Sequence, residues 1–500
     1  MKKILIANRG EIALRVIRAC RELGYSTVAI YSEPDRRSLH VLYADEAYPV
    51  GPAPSSESYL RIDRVVEVAR RSGADAIHPG YGFLAENAEF AEACVTAGVV
   101  FIGPSAAAIR AMGSKTESRT RMADAGVPIV PGLKNAVSSV DELVDFANEA
   151  GYPVMVKASA GGGGKGLRIV RDEKELRTAY DRVSSEALAF FGDAAVYAEK
   201  AIVSPRHIEV QVLGDKHGNI IHLGERECTL QRRHQKVIEE CPSPILDEKT
   251  RGEIGEIAVR AAKAVNYDSA GTIELLRSAS GEFWFLEMNT RLQVEHPVTE
   301  LVTGIDLVKE QIGVAFGEKL SIRQEDVSMS GHAIEARIYA EDPYSGFSPS
   351  PGLIRNLMLP QGPGVRNDNG VYSGYEVPLH YDPMLSKLIT WGKDRGEAIA
   401  RMKRALGEYR VDGIQTTIPF YLRLMDDPDF VDAAFDTGSI DRMLDHLTTR
   451  TEVDQETRDI AVIVAAIREL ESSERVQIER GSESAWKRSA RLLSVSGRRP

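Results

Sequence analysis

The stretch GTIELLRSASGEFWFLEMN, residues 271–289, admits few folds. Two runs rich in apolar and β-branched or aromatic residues flank Ser280-Gly281, and such a step between such runs reads as a hairpin turn. Pairing about it sets Glu274 roughly opposite Glu287. With the strand period of two, Thr272 shares a face with Glu274, while Phe283, Phe285, Glu287 and Asn289 share a face with one another. Ile273, Leu275, Leu286 and Met288 fall on the opposite, apolar face. The alternation runs on through Arg291, Gln293 and Glu295, so the strand is expected to continue until His296-Pro297 ends it.

Two facing carboxylates at about 5 Å repel by roughly 3 kcal/mol at an effective dielectric near 20, and like charges across a ladder destabilise it. Two readings stay open. Either the pair sits exposed at a hairpin edge, or a divalent cation lies between the acids. An all-oxygen set with few protein donors suits Mg²⁺. Arg291 is able to grip a small planar anion through both arms of its fork, and Glu295 beside it to take a proton. The cationic run Gln231-Arg232-Arg233-His234-Gln235-Lys236 is, on its own, a solvated basic stretch.

Five hundred residues exceed one hydrophobic core, so two to four domains are expected. KKILIANRGEIALRVIRACRELG reads strand, turn, helix, with Ile12, Val16, Ala19, Cys20 and Leu23 on one helical face, and STVAIYS follows as a second strand. The cadence continues through ADAIHPGYGFLAEN and VVFIGPS and predicts an open parallel sheet over residues 1 to about 110. Ligands of such sheets bind beyond the C-terminal ends of the strands, where Asn8-Arg9-Gly10-Glu11 and Pro79-Gly80-Tyr81-Gly82 fall. A dinucleotide fingerprint needs three glycines in the first turn; this turn offers Gly10 alone, so NAD is not expected there. Ser114-Lys115-Thr116-Glu117 has capping-box spacing and starts a helix ending near Ala125-Gly126. Lys115, in its first turn, is either a solvated surface lysine or faces an anion. Residues 130–300 read as strand-rich, an α+β segment runs from GHAIEARIYA at 331 to about 446, and ETRDIAVIVAAIRELESSER predicts an appended helix before the basic end SAWKRSARLLSVSGRRP.

YPVMVKASAGGGGKGLRIV holds Gly161 to Gly164, Lys165 and Gly166. A P-loop fails here, because Ser159 stands where its first glycine belongs and Gly166 where Ser or Thr holds magnesium. A dinucleotide loop fails because the strand-like Leu167-Arg168-Ile169-Val170 follows instead of a helix. What remains is a glycine hairpin between VMVK and LRIV, either a plain surface hairpin or a lid over phosphates, with Lys157 pointing at the same place.

A net charge of −11 argues against non-specific nucleic-acid binding. Cys20, Cys94, Cys228 and Cys241 show no C-x-x-C spacing, so no zinc site is expected. No segment approaches 18 apolar residues and no signal-peptide core is present, so a cytoplasmic protein without a membrane partner is expected.

Taken together, IANRGEIA, HPGYGFLAEN, KASAGGGGKG, ERECTLQRRHQK, EMNTRLQVEHPVTE and GHAIEARIYAEDP resemble the biotin carboxylase family of ATP-grasp enzymes over roughly residues 1–446. The resemblance implies an α/β fold in three parts and a tail. These are an N-terminal parallel sheet (1–112), an ATP-grasp domain (113–315) with a mobile lid near 130–203, a C-terminal mixed α+β domain (331–446), and a helical and basic tail (447–500). It implies that Lys115, Lys157, Gly163, Gly164 and His207 contact phosphates or ribose. Glu199, Lys200, Ala201 and Ile202 would form the hinge strand at adenine, and Gln231 and His234 would line the same pocket.

By the same resemblance Glu274, Glu287 and Asn289 hold Mg²⁺ (or Mn²⁺). Lys236, Arg291 and the Val294 backbone bind bicarbonate, Glu295 is the general base, and Arg337 stabilises the enolate of biotin. The implied activity is that of an ATP-dependent ligase. Bicarbonate attacks the γ-phosphate of ATP, carboxyphosphate forms, and its CO₂ is captured by biotin. No Ala-Met-Lys-Met sequence is present, and the one Met-Lys, Met402-Lys403, lies in the helical-looking AIARMKRAL. Biotin is therefore expected on a separate carrier protein. A carboxyltransferase is expected as a further partner, and a homodimer as the assembly. The tail resembles that of the corresponding subunit of two-subunit pyruvate carboxylases more than that of acetyl-CoA carboxylases. The alternative is an ATP-grasp ligase joining a carboxylate to an amine. It would share Lys115, Lys157 and the acidic pair but would not need Arg291, Glu295 and Arg337 together.

Overall fold

The structure, a computed structural model, describes residues 1–133, 137, 139–158, 167–191, 195–233, 235–450 and 454–474. Gly163 and Gly164 with the rest of the glycine loop, His234, and the basic end beyond 474 lie outside the described residues.

The expected βα cadence produces a five-stranded, all-parallel sheet in the order Glu46–Gly51, Ser26–Ser32, Lys3–Ile6, Ala76–His78, Val100–Phe101. Helix Gly10–Glu22 buries Ile12, Val16, Ala19 and Cys20, as its spacing predicts. Beyond the strands' C-terminal ends the two loops are tied together: the Asn8 side-chain amide donates to Pro79 O (2.7 Å) and Tyr81 O (2.8 Å). Gly80 adopts φ +64°, and a Cβ there would stand 2.9 Å from Asn8 Nδ2, so only glycine lets the loops approach this closely.

A single eight-stranded antiparallel sheet runs from the middle of the chain into its C-terminal part. Its order is Phe283–Asn289, Ala270–Arg277, Arg206–Gly214, Ile220–Glu227, Ile238–Cys241, His332–Tyr339, Met384–Gly392, Val365–Asn369. On strand His332–Tyr339 the alternation separates two environments. Ile334, Ala336 and Ile338 enter a core with Met402, Leu406 and Phe420, whereas Ala333 packs against Val298 and Val302 of helix His296–Thr303. Glu335 and Arg337 therefore belong to the face that carries helix His296–Thr303.

A separate three-stranded sheet, Leu167–Val170, Val154–Ala158 and Val196–Lys200, is the hairpin expected around the glycine loop plus one further strand. Helices Val140–Ala150 and Glu173–Phe191 cover it around its own core, which includes Leu143, Val156, Leu176 and Val183. Thr449–Pro500 forms a second unit, described by helix Gln455–Glu474, where the sequence predicts one.

Two expectations fail at the acidic hairpin. Glu274 does pair with Glu287, and Thr272 with Asn289, but a bulge follows, so that Leu275 pairs with Phe285. One extra residue inverts the facing of everything beyond it. Phe285, expected beside Glu287, instead packs with Ile273, Leu275 and Met288, and Leu286, expected in the apolar face, is exposed. The strand also stops at Asn289 instead of running to 295. Residues 290–295 form a loop, and Pro297 lies in the first turn of helix His296–Thr303, where its missing N–H has no partner to lose.

Candidate active site

A cleft of about 360 Å³ opens between the three-stranded sheet and the acidic hairpin, lined by Lys115, Lys157, Glu199, Glu287 and Asn289 among others. Ser114 caps the helix that starts at Lys115, its hydroxyl accepting from the Glu117 N–H, so the Lys115 ammonium enters the cleft from a helix N-terminus. Lys157 pairs with Glu199, whose other oxygen accepts from Arg119 Nη1 (3.3 Å). Lys200, Ala201 and Ile202 are not among the lining residues. The Lys200 ammonium turns away to the Gly151 carbonyl (2.7 Å), and the Lys200 and Ala201 amides donate to Pro131 and Pro153.

At the hairpin, Glu274 is drawn into a dense network. Its Oε1 accepts from Lys236 Nζ (3.1 Å), Asn289 Nδ2 (2.8 Å) and Gln293 Nε2 (2.8 Å), and its Oε2 lies 3.1 Å from His207 Nε2. Gln231 Nε2 in turn lies 3.1 Å from His207 Nδ1. Burial alone would raise the Glu274 carboxyl, but Lys236 and His207 outweigh it and hold it well below the usual range. Burial likewise disfavours the His207 cation, and the Glu274 charge reverses that and raises it.

Glu287 differs. Solvent reaches its side chain, yet the crowding cleft walls and then the Glu274 charge push its carboxyl above the usual range, and no ion pair reaches it among the described residues. A divalent cation would remove that repulsion. Glu274 and Glu287 supply the hard oxygens it needs, while Asn289 Oδ1 accepts from Arg291 Nη2 (2.8 Å) and would have to exchange that partner to become a ligand. The donor set fits Mg²⁺.

In the loop that follows the hairpin, each carboxylate is matched by cations. Glu295, 1% exposed, accepts from Lys236 Nζ (2.6 Å) at Oε1 and from Arg337 Nη2 (3.0 Å) at Oε2. Burial raises its carboxyl, and Lys236, Arg337 and Arg226 more than reverse that, so it stays ionised and far below the usual range. Lys236, expected in a solvated basic run, is instead enclosed by Glu209 (2.5 Å), Glu274 and Glu295. Arg337 is shared with Glu239 (2.6 Å). Arg291 donates through Nε to Glu86 (2.8 Å), which also accepts from the Thr290 N–H (3.0 Å). A second cavity of about 590 Å³ is lined by Arg291, Val294, Arg337, Tyr81 and Glu11, and Glu86 lines both cavities.

Several of these partners escape the sequence reading. Glu209 and Gln211 alternate with apolar residues in RHIEVQVLG, and Arg226 ends the same pattern in IIHLGERE, a period-two signal of a polar face. Arg226, fully enclosed, places its donors on Glu209, Gln211, Thr299, Thr272 and Gln293. Glu86 sits inside the quoted HPGYGFLAEN motif, but nothing local marks it as the partner of Arg291, 205 residues away.

Comparison with known proteins agrees with this arrangement. Family models described as "Biotin carboxylase, N-terminal domain", "Carbamoyl-phosphate synthase L chain, ATP binding domain" and "Biotin carboxylase C-terminal domain" match residues 1–109, 114–323 and 335–442. The chain is 57% identical to biotin carboxylase 1 of Bacillus subtilis over 87% of its own length and 97% of that relative. It is 54% identical to a pyruvate carboxylase subunit of Methanothermobacter thermautotrophicus, with 92% of each covered. Among solved structures, the biotin carboxylase domain dimer of the Hydrogenobacter thermophilus 2-oxoglutarate carboxylase, in complex with MgADP, ADP and bicarbonate, superimposes with a TM-score of 0.84 at 49% identity, covering 90% of this chain and 99% of that one. The Campylobacter jejuni biotin carboxylase complexed with a β,γ-ATP compound gives 0.84 at 50% identity, covering 88% and 98%. This chain therefore belongs to the biotin carboxylase family.

Proposed function

We propose that this chain catalyses the ATP-dependent carboxylation of biotin with bicarbonate, and that the residues brought together above divide the work as follows. The nucleotide occupies the 360 Å³ cleft, its phosphates met by Lys115, Lys157 and the His207 side of the hairpin. Glu274, Glu287 and Asn289 would hold Mg²⁺, which when bound would neutralise charge on the phosphate oxygens. Bicarbonate lies against Arg291, Lys236 and the Val294 backbone. In the resting site Lys236 and Arg337 weaken Glu295 as a base. An incoming anion competes for Lys236, so the proton affinity of Glu295 rises as bicarbonate binds.

Glu295 then removes the bicarbonate proton, the freed oxygen bonds to the γ-phosphorus, and the bond to ADP breaks, leaving carboxyphosphate. This anhydride releases CO₂ and phosphate inside a site whose closure keeps water out. Biotin approaches through the 590 Å³ cavity, where Arg337 would meet its ureido oxygen, and the nitrogen proton leaves with phosphate as the N–C bond to CO₂ forms.

Biotin is proposed to arrive on a separate carrier protein, with a carboxyltransferase subunit that passes the carboxyl group to an acyl-CoA such as acetyl-CoA or to pyruvate. We further propose a homodimer in the cytoplasm. Among the described residues no helix is long and apolar enough to cross a membrane.

The observation that carries the reading is one carboxylate, Glu295, buried between a lysine and an arginine in the loop that follows an acidic hairpin. Glu295→Gln is expected to lower bicarbonate-dependent ATP cleavage by about 10²–10⁴-fold while leaving ADP affinity within about twofold. ADP release and nucleotide titration measure the two, and near-native cleavage would remove Glu295 as the base.

A further inference from the structure

Lys387 is completely enclosed, which is rare for a lysine and persists only where its ammonium is fully partnered. It stands on the face of the central sheet that carries helix His296–Thr303, directly across from Arg337 on one neighbouring strand and from Asp368 on the other. Its ammonium donates to the Val294 carbonyl (2.8 Å) and lies 3.4 Å from Glu11 Oε1 and 3.9 Å from Asp368 Oδ2. Glu11 also accepts from the Tyr81 hydroxyl and lines the 590 Å³ cavity with Val294, Arg291 and Arg337. The N-terminal sheet and the C-terminal part meet tightly here: a Cβ on Gly370 would stand 2.8 Å from the Glu11 amide nitrogen.

The peptide joining Val294 to Glu295 belongs to a loop outside any strand, so no ladder sets its orientation. Glu295 is the N-cap of helix His296–Thr303 but makes no side-chain capping bond, which leaves its carboxylate for Lys236 and Arg337. The helix holds the Glu295 carbonyl, which accepts from the Val298 N–H (3.3 Å), but among the described residues no helix or ladder bond holds the Val294–Glu295 peptide before it. Lys387 grips the carbonyl on one side of the peptide while Arg337, beside it on the next strand, grips the side chain that follows.

We propose that Lys387 is a positioning residue for bicarbonate capture, fixing the Val294 carbonyl and with it the peptide that presents Glu295. It touches neither reactant and acts through Val294. The inference rests on the reading of Glu295 and the Val294 backbone as the bicarbonate site. A wild-type protein without bicarbonate-dependent ATP cleavage overturns that reading, whereas wild-type turnover with an unmoved bicarbonate KM in the variants overturns only the role of Lys387.

In full-length protein, Lys387→Met is expected to raise the KM for bicarbonate about 10–100-fold, the range of a charge-assisted hydrogen bond, with the KM for ATP within about twofold. Removing the lysine alone strands the Glu11 carboxylate, so a double variant, Lys387→Met with Glu11→Gln, separates positioning from charge balance. It should regain the melting temperature of the wild type and keep the raised bicarbonate KM. Lys387→Arg keeps the charge and should show a smaller rise in the same constant, and it carries the test alone if the neutral variants do not fold. Equal shifts of both KM values, no shift, or recovery of the bicarbonate KM in the double variant would each overturn the proposal.

Discussion

On the nucleotide side of Glu86, Glu274 is saturated with donors while Glu287, its partner across the hairpin, has no ion pair among the described residues and a carboxyl pushed up by the crowding cleft walls and by Glu274. On the carboxylation side every carboxylate meets a cation: Lys236 and Arg337 share Glu295, Arg337 also meets Glu239, and Arg291 meets Glu86. The first region carries an excess of negative charge that a divalent ion would relieve. The second is already neutralised, and an anion has to exchange partners to enter it. An active site that joins a metal-bound nucleotide to bicarbonate needs both arrangements, because a cation is recruited by unmet charge and an anion by cations it is able to borrow.

The largest effect that sharpens this contrast is expected at Arg337. Arg337→Ala should lower biotin carboxylation by about 10²–10³-fold, as loss of one preorganised donor does elsewhere. Because Arg337 also donates to Glu295, bicarbonate-dependent ATP cleavage should fall too, by about tenfold. Parallel assays of carboxybiotin and ADP measure the split, and equal losses would place Arg337 with the base alone.

Glu287→Gln should weaken Mg²⁺ in the ternary complex with ADP by at least the roughly 10–100-fold that loss of an outer-shell partner costs, with metal-free ADP binding little changed. Calorimetric titration with and without Mg²⁺ separates the two, and an unchanged Mg²⁺ affinity would erase the distinction between the two regions. The smallest effect concerns pH. The cation needs Glu287 ionised, and its carboxyl titrates above the usual range, so the ionised fraction falls early on acidification. The thermal stabilisation that Mg²⁺ adds to ADP should therefore be a few-fold larger at about pH 8 than at about pH 5.5. In Glu287→Gln this dependence should flatten.

The face-to-face placement of Glu274 and Glu287 is legible because a Ser-Gly turn sets the register and the register sets the facing. The bulge after Glu274 is not, since one inserted residue leaves the apolar alternation looking intact while turning Phe285 inward and Leu286 outward. The sequence from Thr290 to Glu295 keeps the same alternation, yet Glu86 takes the Thr290 amide and the Arg291 guanidinium, and the chain leaves the sheet.

Residue type and spacing alone were enough to specify the parallel N-terminal sheet, the glycine hairpin's two strands and the acidic pair, because each strand, helix and turn announces itself within a short stretch of sequence. Which cation meets which carboxylate was decided only by the tertiary structure. Glu295 with Lys236 and Arg337, Arg291 with Glu86, and Lys387 with Glu11 and Val294 join segments dozens to hundreds of residues apart. A charge has no periodicity to reveal its partner, and burial makes the choice of partner decisive.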